Sequence, residues 1–360
     1  MTTQIIPEKY QHIDFQQLGN DIKTWAREAG FQSIGITDTQ LSSAESHLLN
    51  WLNAGYHGEM EYMQRHGTDR SRPHELEPGT IRVISATINY WPEKNEDYIE
   101  TLSDKRQAYV SRYALGRDYH KLVRKRLQKL ADNIQTKVGE FGYRVFTDSA
   151  PVLEKALAEK SGIGWIGKHT NLISEQTGSW FFIGEIYTDL PLPVDAPAHN
   201  HCGTCTACIN ECPTNAIIAP YQLDARLCIS YLTIELRGSI PEQLRPLIGN
   251  RVYGCDDCQI VCPWNRFARL TAEKDFYPRH KLDNSTLLEL FKWTEQQFLD
   301  NTLGSAIRRI GYDCWQRNIA VALGNAPYSD EIVGVLKERL PKASAMVREH
   351  VEWALRQHSA

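Results

Sequence analysis

The chain has 360 residues, 42% hydrophobic and 23% charged, with 40 Lys and Arg against 44 Asp and Glu for a formal net charge of −4. That length suits two or three domains with a sizeable core, and the mean hydropathy of −0.44 belongs to an ordinary globular composition. No apolar run approaches the length of a membrane span, so no membrane association is expected, while the mildly acidic balance gives no sign of nucleic-acid binding beyond what a local basic face could supply.

The chain opens MTTQIIPEKYQHIDF, without the basic stretch and apolar core of a secretory leader. A cytoplasmic protein is expected, where clustered cysteines bind metal more often than they form disulfides. Residues 1–195 read as mixed α and β. Helical periodicity appears over 14–29 and again over 119–138, with Leu122, Leu127, Leu130 and Ile134 on one side. Strand-like runs rich in β-branched and aromatic residues cover 81–90, 142–148 and 179–190. The Gly-rich stretch SGIGWIGKHTNLI, 161–173, reads as a loop, and LPLPVDAPAHNH, 190–201, as a linker. Residues 202–263 hold eight of the nine cysteines, and 264–360 read as all helix. CWQRNIAVALGN (314–325) and MVREHVEWALRQ (346–357) resemble one another, as the units of a helical repeat or as an ordinary amphipathic pair.

The cysteines carry the strongest signal. Cys202, Cys205, Cys208 and Cys212-Pro213 form one run, Cys255, Cys258 and Cys262-Pro263 a second, and Cys228 stands between them. Two-residue spacers turn successive thiolates inward around a cubane, and the cysteine before proline reaches the other cluster. By that crossed rule Cys202, Cys205, Cys208 and Cys262 hold one 4Fe–4S cluster, and Cys212, Cys228, Cys255 and Cys258 the other. Two structural zinc sites are the competing reading, although a three-thiolate run ending in Cys-Pro is typical of ferredoxin-like clusters. Cys314 has no partner in sequence and is expected to be a buried small apolar residue.

Asp148 closes the strand-like GYRVFTD. Pro151 can occupy the first turn of a following helix, with Asp148 or Ser149 as its cap. The other reading makes Asp148 a proton donor facing the Gly-rich loop. Asp118-Tyr119-His120 begins like a cobalt-ligating Asp-x-His-x-x-Gly element, but Val123 stands where the glycine should be, leaving His120 either a polar residue at a helix start or one that faces a cofactor's periphery. KLVRKRLQKL, 121–130, and the group Arg65, Arg70 and Arg72 are locally basic, either as solvated faces or as phosphate contacts.

GYHGEMEYMQRH (55–66), YALGRDYHKLVRKRLQKL (113–130), DSAPVLEKALAEKSGIGWIGKHTNLI (148–173) and both cysteine runs together resemble the epoxyqueuosine reductases, cobalamin-dependent iron–sulfur enzymes of tRNA modification. The resemblance implies an α+β chain: an α/β cobalamin-binding and catalytic domain over 1–195, a ferredoxin-like two-cluster domain over 196–275, and HEAT-like helices over 276–360. It implies reduction of the epoxide of epoxyqueuosine, at the tRNA wobble position, to the alkene of queuosine. Electrons would pass from two 4Fe–4S clusters to cobalamin, and the family's catalytic acid falls on Asp148. To donate near neutral pH that acid would need a raised pKa, most simply by burial against the corrin. Lys168 and His169 are expected to touch the cofactor, with Arg70, Ser149 and Tyr231 the further candidates. The partners expected are a tRNA anticodon stem-loop and an external reductant, with the chain acting as a monomer. Three alternatives stay open: a plain electron carrier, a reductive dehalogenase, whose usual twin-arginine signal is missing here, and a tRNA-binding scaffold with structural clusters.

Overall fold

Asp14 caps the first helix of a computed structural model that describes residues 8–91 and 98–359; the first seven residues, on which the reading of the N-terminus partly rests, lie outside the described residues. The chain forms two compact units of interleaved segments: residues up to 90 with 119–206 and 263–269, and 91–118 with 207–262 and 270 onward.

In the first unit, Asp14 Oδ1 accepts the N–H groups of Gln16 and Gln17 at 2.9 and 3.0 Å and starts α1, Phe15–Glu28, satisfying amides that a helix start leaves free. There follow β1 (Ser33–Thr37), α2 (Ser42–Asn53), β2 (Arg82–Asn89), α3 (Tyr119–Val138), β3 (Tyr143–Phe146), α4 (Glu154–Lys160), β4 (Trp165–Ile166), β5 (Leu172–Ile173) and β6 (Phe181–Thr188). Four strands make one antiparallel sheet in the order β1-β2-β6-β3. Alternation along the strands gives each face its own cover. Gly184 turns toward Val123 and Leu127 of α3, with no room for a Cβ. The opposite face presents Val83, Phe146 and Tyr187 to Leu157 of α4 in a common apolar cluster. The buried stripe of α3 is Val123, Leu127, Leu130 and Ile134. Leu122, expected in that stripe, flanks it half-buried.

Two local expectations are corrected. Helix α4 begins at Glu154, beyond Pro151, and its N-cap residue Leu153 has no side-chain cap. Neither Asp148 nor Ser149 caps it, because Asp148 takes a left-handed backbone with φ of 50° and turns the chain first. The Gly-rich stretch read as a loop contains the hairpin β4–β5, where Gly164 passes so close to the Ile173 carbonyl that no side chain would fit.

In the second unit the short strand Tyr109–Val110 pairs in parallel with β7, Arg251–Tyr253. Helix α5, Ile229–Ile234, follows Cys228. From residue 276 the regular structure is helical apart from an isolated bridge at Thr286, with α6 (Gly311–Gly324), α7 (Asp330–Arg339) and α8 (Ala345–Gln357). Gly324 of α6 lies against the Trp353 ring of α8. Within α6, Arg317 donates to the carbonyls of Leu232, Leu236 and Gly238, and Asn318 to those of Thr233 and Val252. Cys314 is buried in the same helix, as expected. Among the described residues no helix is long and apolar enough to cross a membrane.

Candidate active site and cluster-binding cysteines

Sheet, α3 and α4 bring a polar group together at Asp148. The Tyr119 hydroxyl donates to Asp148 Oδ2 at 2.6 Å, and His120 Nε2 lies 3.0 Å from the same oxygen. Both residues start α3, and the Tyr119 ring is held between Phe182 at 3.8 Å and His120 at 4.2 Å. The Asp148 amide donates to Glu154 Oε1 at 2.6 Å. The Asp148 side chain remains 51% exposed, open to a bound molecule. Beside it, Arg124 Nη2 lies 3.4 Å from Ser149 Oγ.

The surroundings of this loop are short of solvent. Burial pushes the Glu154 carboxyl up to about 8, and the charge of Asp148 adds to that. Burial likewise raises Glu185 on β6 well above the carboxylate range; its Oε2 accepts from Ser85 Oγ at 2.6 Å, its neighbour across the sheet. The Arg70 guanidinium is buried and lowered by that burial, with Asp148 and Glu154 pulling the other way. Its Nη2 donates to the Tyr62 carbonyl at 2.9 Å, while its Nε is enclosed without a partner.

Four of the expected cofactor contacts, Arg70, Ser149, Lys168 and His169, lie in the first unit. Arg70 and Ser149 stand with Asp148. Lys168 Nζ donates to the carbonyls of Gly203 and Cys205 at 2.7 and 2.9 Å, tying the β4–β5 hairpin to the first cysteine run. His169 is buried, its Nδ1 accepting the Asn171 amide at 3.1 Å and its Nε2 enclosed without a partner. Burial draws its imidazole down to about 4, so it is neutral. Tyr231 is buried in α5 of the second unit. The enclosed Nε atoms of Arg70 and His169 are donors in want of an acceptor, which fits an amide-rimmed cofactor such as a corrin.

No disulfide joins any of the nine cysteines. Cys202 and Cys205 belong to the first unit, and Cys208, Cys212, Cys228, Cys255, Cys258 and Cys262 to the second. The Trp165 indole N–H points to Cys202 Sγ at 3.4 Å, and the Ala216 amide to Cys212 Sγ at 3.2 Å. Burial pushes the thiols of Cys228, Cys255 and Cys258 up; Cys228 also feels Cys212, Cys255 feels Cys258, and Cys258 feels Cys228, Cys212 and Cys208. Cys212, Cys228, Cys255 and Cys258 thus lie within reach of one another's charge, and Cys208 lies within reach of Cys258. Among the described residues no three His, Cys, Asp or Glu side chains stand close enough to hold a single ion; thiolates around a cubane are held apart by the inorganic core itself. Asp256, next to this quartet, is buried and accepts from Tyr109 Oη, Ser111 Oγ and the Arg112 amide at 2.8, 2.6 and 2.9 Å.

Sequence reasoning missed Tyr119, Glu154 and Glu185 as members of this site, while His120, read as a helix-start residue or one facing the cofactor's edge, stands beside Asp148. Glu185 had a legible signal, a lone carboxyl within the apolar run SWFFIGEIYTDL.

Residues 201–265 match a family model for a 4Fe-4S double cluster binding domain. The class is therefore that of iron–sulfur redox proteins with two clusters. Residues 70–149 match the model described as epoxyqueuosine reductase QueG, DUF1730. The epoxyqueuosine reductase of Pseudomonas aeruginosa is 59% identical over 359 residues, covering 99% of each chain, and this chain belongs to that family of oxidoreductases. Two solved structures agree in fold. Epoxyqueuosine reductase from Bacillus subtilis, with its catalytic aspartate loop swung out of the active site, matches with a TM-score of 0.88 at 27% identity, over 96% of this chain and 91% of that one. An epoxyqueuosine reductase bound to an epoxyqueuosine-modified tRNA-Tyr stem loop matches with a TM-score of 0.83 at 25% identity, over 96% of this chain and all of the other.

Proposed function

We propose that this chain reduces epoxyqueuosine at the wobble position of tRNA to queuosine, with Asp148 as the acid that protonates the departing oxygen. The observation that carries the assignment of the acid is the grip on Asp148: amide to Glu154, carboxyl to Tyr119 and His120, and half its side chain open. The solved relative described with a catalytic aspartate loop swung out of the active site supports an aspartate on a loop in this role.

The overall change takes two electrons and two protons, breaks both C–O bonds of the epoxide, forms the C=C bond and releases water. When bound, two 4Fe–4S clusters would supply electrons singly, and a cobalamin would supply a low-valent cobalt centre beyond the reach of any side chain. This chain's residues do the rest. Cys202, Cys205, Cys208 and Cys262 would hold one cluster, and Cys212, Cys228, Cys255 and Cys258 the other. Arg70, Ser149, Lys168, His169 and Tyr231 are the proposed cofactor contacts, with Arg70 and His169 offering enclosed N–H donors. Tyr119 and His120 share protons with Asp148 Oδ2 and aim it, so the carboxyl can be reloaded after it gives up its proton. Exposed basic residues of α3, Arg124 foremost, would meet the phosphates of an anticodon stem-loop. Residues 1–195 would form the catalytic domain, 196–275 the cluster domain and 276–360 a HEAT-like helical domain; an external reductant would load the clusters of a cytoplasmic monomer.

The test is anaerobic purification with cobalamin, followed by metal content, visible spectrum and turnover of an epoxyqueuosine-modified stem loop. Iron, cobalt binding and formation of queuosine support the proposal. Iron with no cobalamin retained and no turnover would return the chain to a plain electron carrier.

A further inference from the structure

Asp148 is gripped at both ends. Its carboxyl meets Tyr119 and His120, and its amide meets Glu154 Oε1 at 2.6 Å. The second grip ties the middle of the loop to α4, whereas the neighbouring bonds, Ser149 N–H to Thr147 O at 2.6 Å and Val152 N–H to Ala150 O at 2.8 Å, stay within the loop. A non-glycine residue at φ of 50° is sterically opposed and persists only where its surroundings hold it. Glu154, as first residue of α4, is fixed by the packing of that helix on the sheet through Leu157 and Ala158. A rigid element thus reaches back to hold a strained one.

The company around Glu154 sets its charge. It feels Asp148 from the loop, His120 from α3, Lys155 on its own helix, Glu185 and Tyr187 from β6, and Arg70 from the segment before β2. Burial dominates and keeps the carboxyl protonated at neutral pH. A neutral carboxyl accepts the Asp148 amide through its carbonyl oxygen and sets no second negative charge beside the acid.

We infer that Glu154 is a positioning residue that latches the Asp148 loop in its left-handed, catalytically aimed form through the Asp148 amide. The inference rests on Asp148 being the acid, but the latch itself is a property of the loop and is measurable without turnover.

Two variants separate the possibilities in anaerobically reconstituted protein. Glu154→Gln keeps a carbonyl acceptor and imitates the neutral acid. Glu154→Met fills the same volume and accepts nothing. Hydrogen exchange over 147–153 is followed without tRNA, and kcat and KM with a modified stem loop. Loss of one hydrogen bond of this kind is worth roughly a tenfold change. In the Met variant exchange of the loop amides should quicken about tenfold and kcat should fall about tenfold with KM little changed, while Gln restores both to near the native values. Native exchange in the Met variant would overturn the latch. Gln as impaired as Met would also overturn it, since an ionisable carboxyl rather than an acceptor would then be needed. The identity of the acid is tested apart from this: native turnover in Asp148→Asn would remove Asp148 from the chemistry and leave the exchange result standing.

Discussion

Tyr119 donates its hydroxyl to Asp148 Oδ2 at 2.6 Å while stacking on Phe182 at 3.8 Å, so the first residue of α3 is locked by an aromatic face and in turn holds the Asp148 carboxyl. Ring and hydroxyl can be separated by mutation. Tyr119→Phe should keep the stack and the fold, and lower turnover by about tenfold, the usual worth of a hydrogen bond to an ionisable group. Turnover equal to that of the native protein would show that His120 alone suffices to aim Asp148.

Asp148 itself separates chemistry from stability. Asp148→Asn should retain clusters and fold and lose about 10²–10⁴ in turnover, as removal of a general acid does. Since Asp148 caps no helix, its removal forfeits no capping energy. Asp148→Gly should therefore melt no lower than the native protein, because glycine adopts φ of 50° without strain. A melting point several degrees lower in the Gly variant would contradict the strain described here.

Glu185 gives a pH dependence of unusual sign. Its native pKa is raised well above 4.5. Between 4.5 and that higher value the native state holds a proton that the unfolded chain has released, so stability is full at low pH and falls as pH rises. Glu185→Gln keeps an acceptor for Ser85 and cannot ionise, and should flatten this decline in urea midpoints taken from pH 5 to 9. A native-like slope in the Gln variant would assign the decline to other groups, Glu154 first among them.

Cluster assembly tests the crossed ligand sets. Anaerobic protein should hold roughly eight irons, four for each cubane. Cys228→Ala should bring that to about four, with residual iron–sulfur absorbance from the cluster assigned to Cys202, Cys205, Cys208 and Cys262. Complete loss of iron, or zinc in its place, would contradict two separable 4Fe–4S sites.

Binding of a modified stem loop should weaken as salt rises, through release of counterions from the phosphates. The two arginines at the middle of α3 differ in their surroundings: Arg124 is exposed beside Ser149, while the Arg126 guanidinium lies over Gly30. Arg124→Gln should lower affinity and reduce the slope of log K against log salt by roughly 0.7–0.9, one phosphate contact. Arg126→Gln should change it less. Equal slopes in native protein and Arg124→Gln would make this end of α3 a solvated face.

Periodic signals were legible in the sequence, and signals set by the turn of the chain were not. The stripe of α3 and the long strands β2 and β6 follow from apolar spacing, and the cysteine runs from the thiolate geometry of a cubane. The five-residue strand β1 and the hairpin β4–β5 are too short to carry a period, and they form because the neighbouring strands supply their partners. Pro151 pointed to a helix start that the structure places at Glu154, since a single left-handed residue at Asp148 redirects the backbone first. Tyr119 and His120 precede Asp148 by 29 and 28 residues in the chain; the packing of α3 on β6 makes them its neighbours, and nothing in local spacing encodes that.

Helix α6 closes the carbonyls on either side of the second cysteine quartet: Arg317 serves the end of α5, just after Cys228, and Asn318 bridges α5 to β7, just before Cys255. These donors are buried, so the carbonyls they meet have no water to fall back on. A chain cut before Gly311 would therefore lose more than its last helices. The backbone holding Cys228 beside Cys255 would be left with open acceptors, and iron would be bound by a frame that no longer keeps its own shape. In assembly terms, α6 must be made before the backbone around the quartet has all its partners.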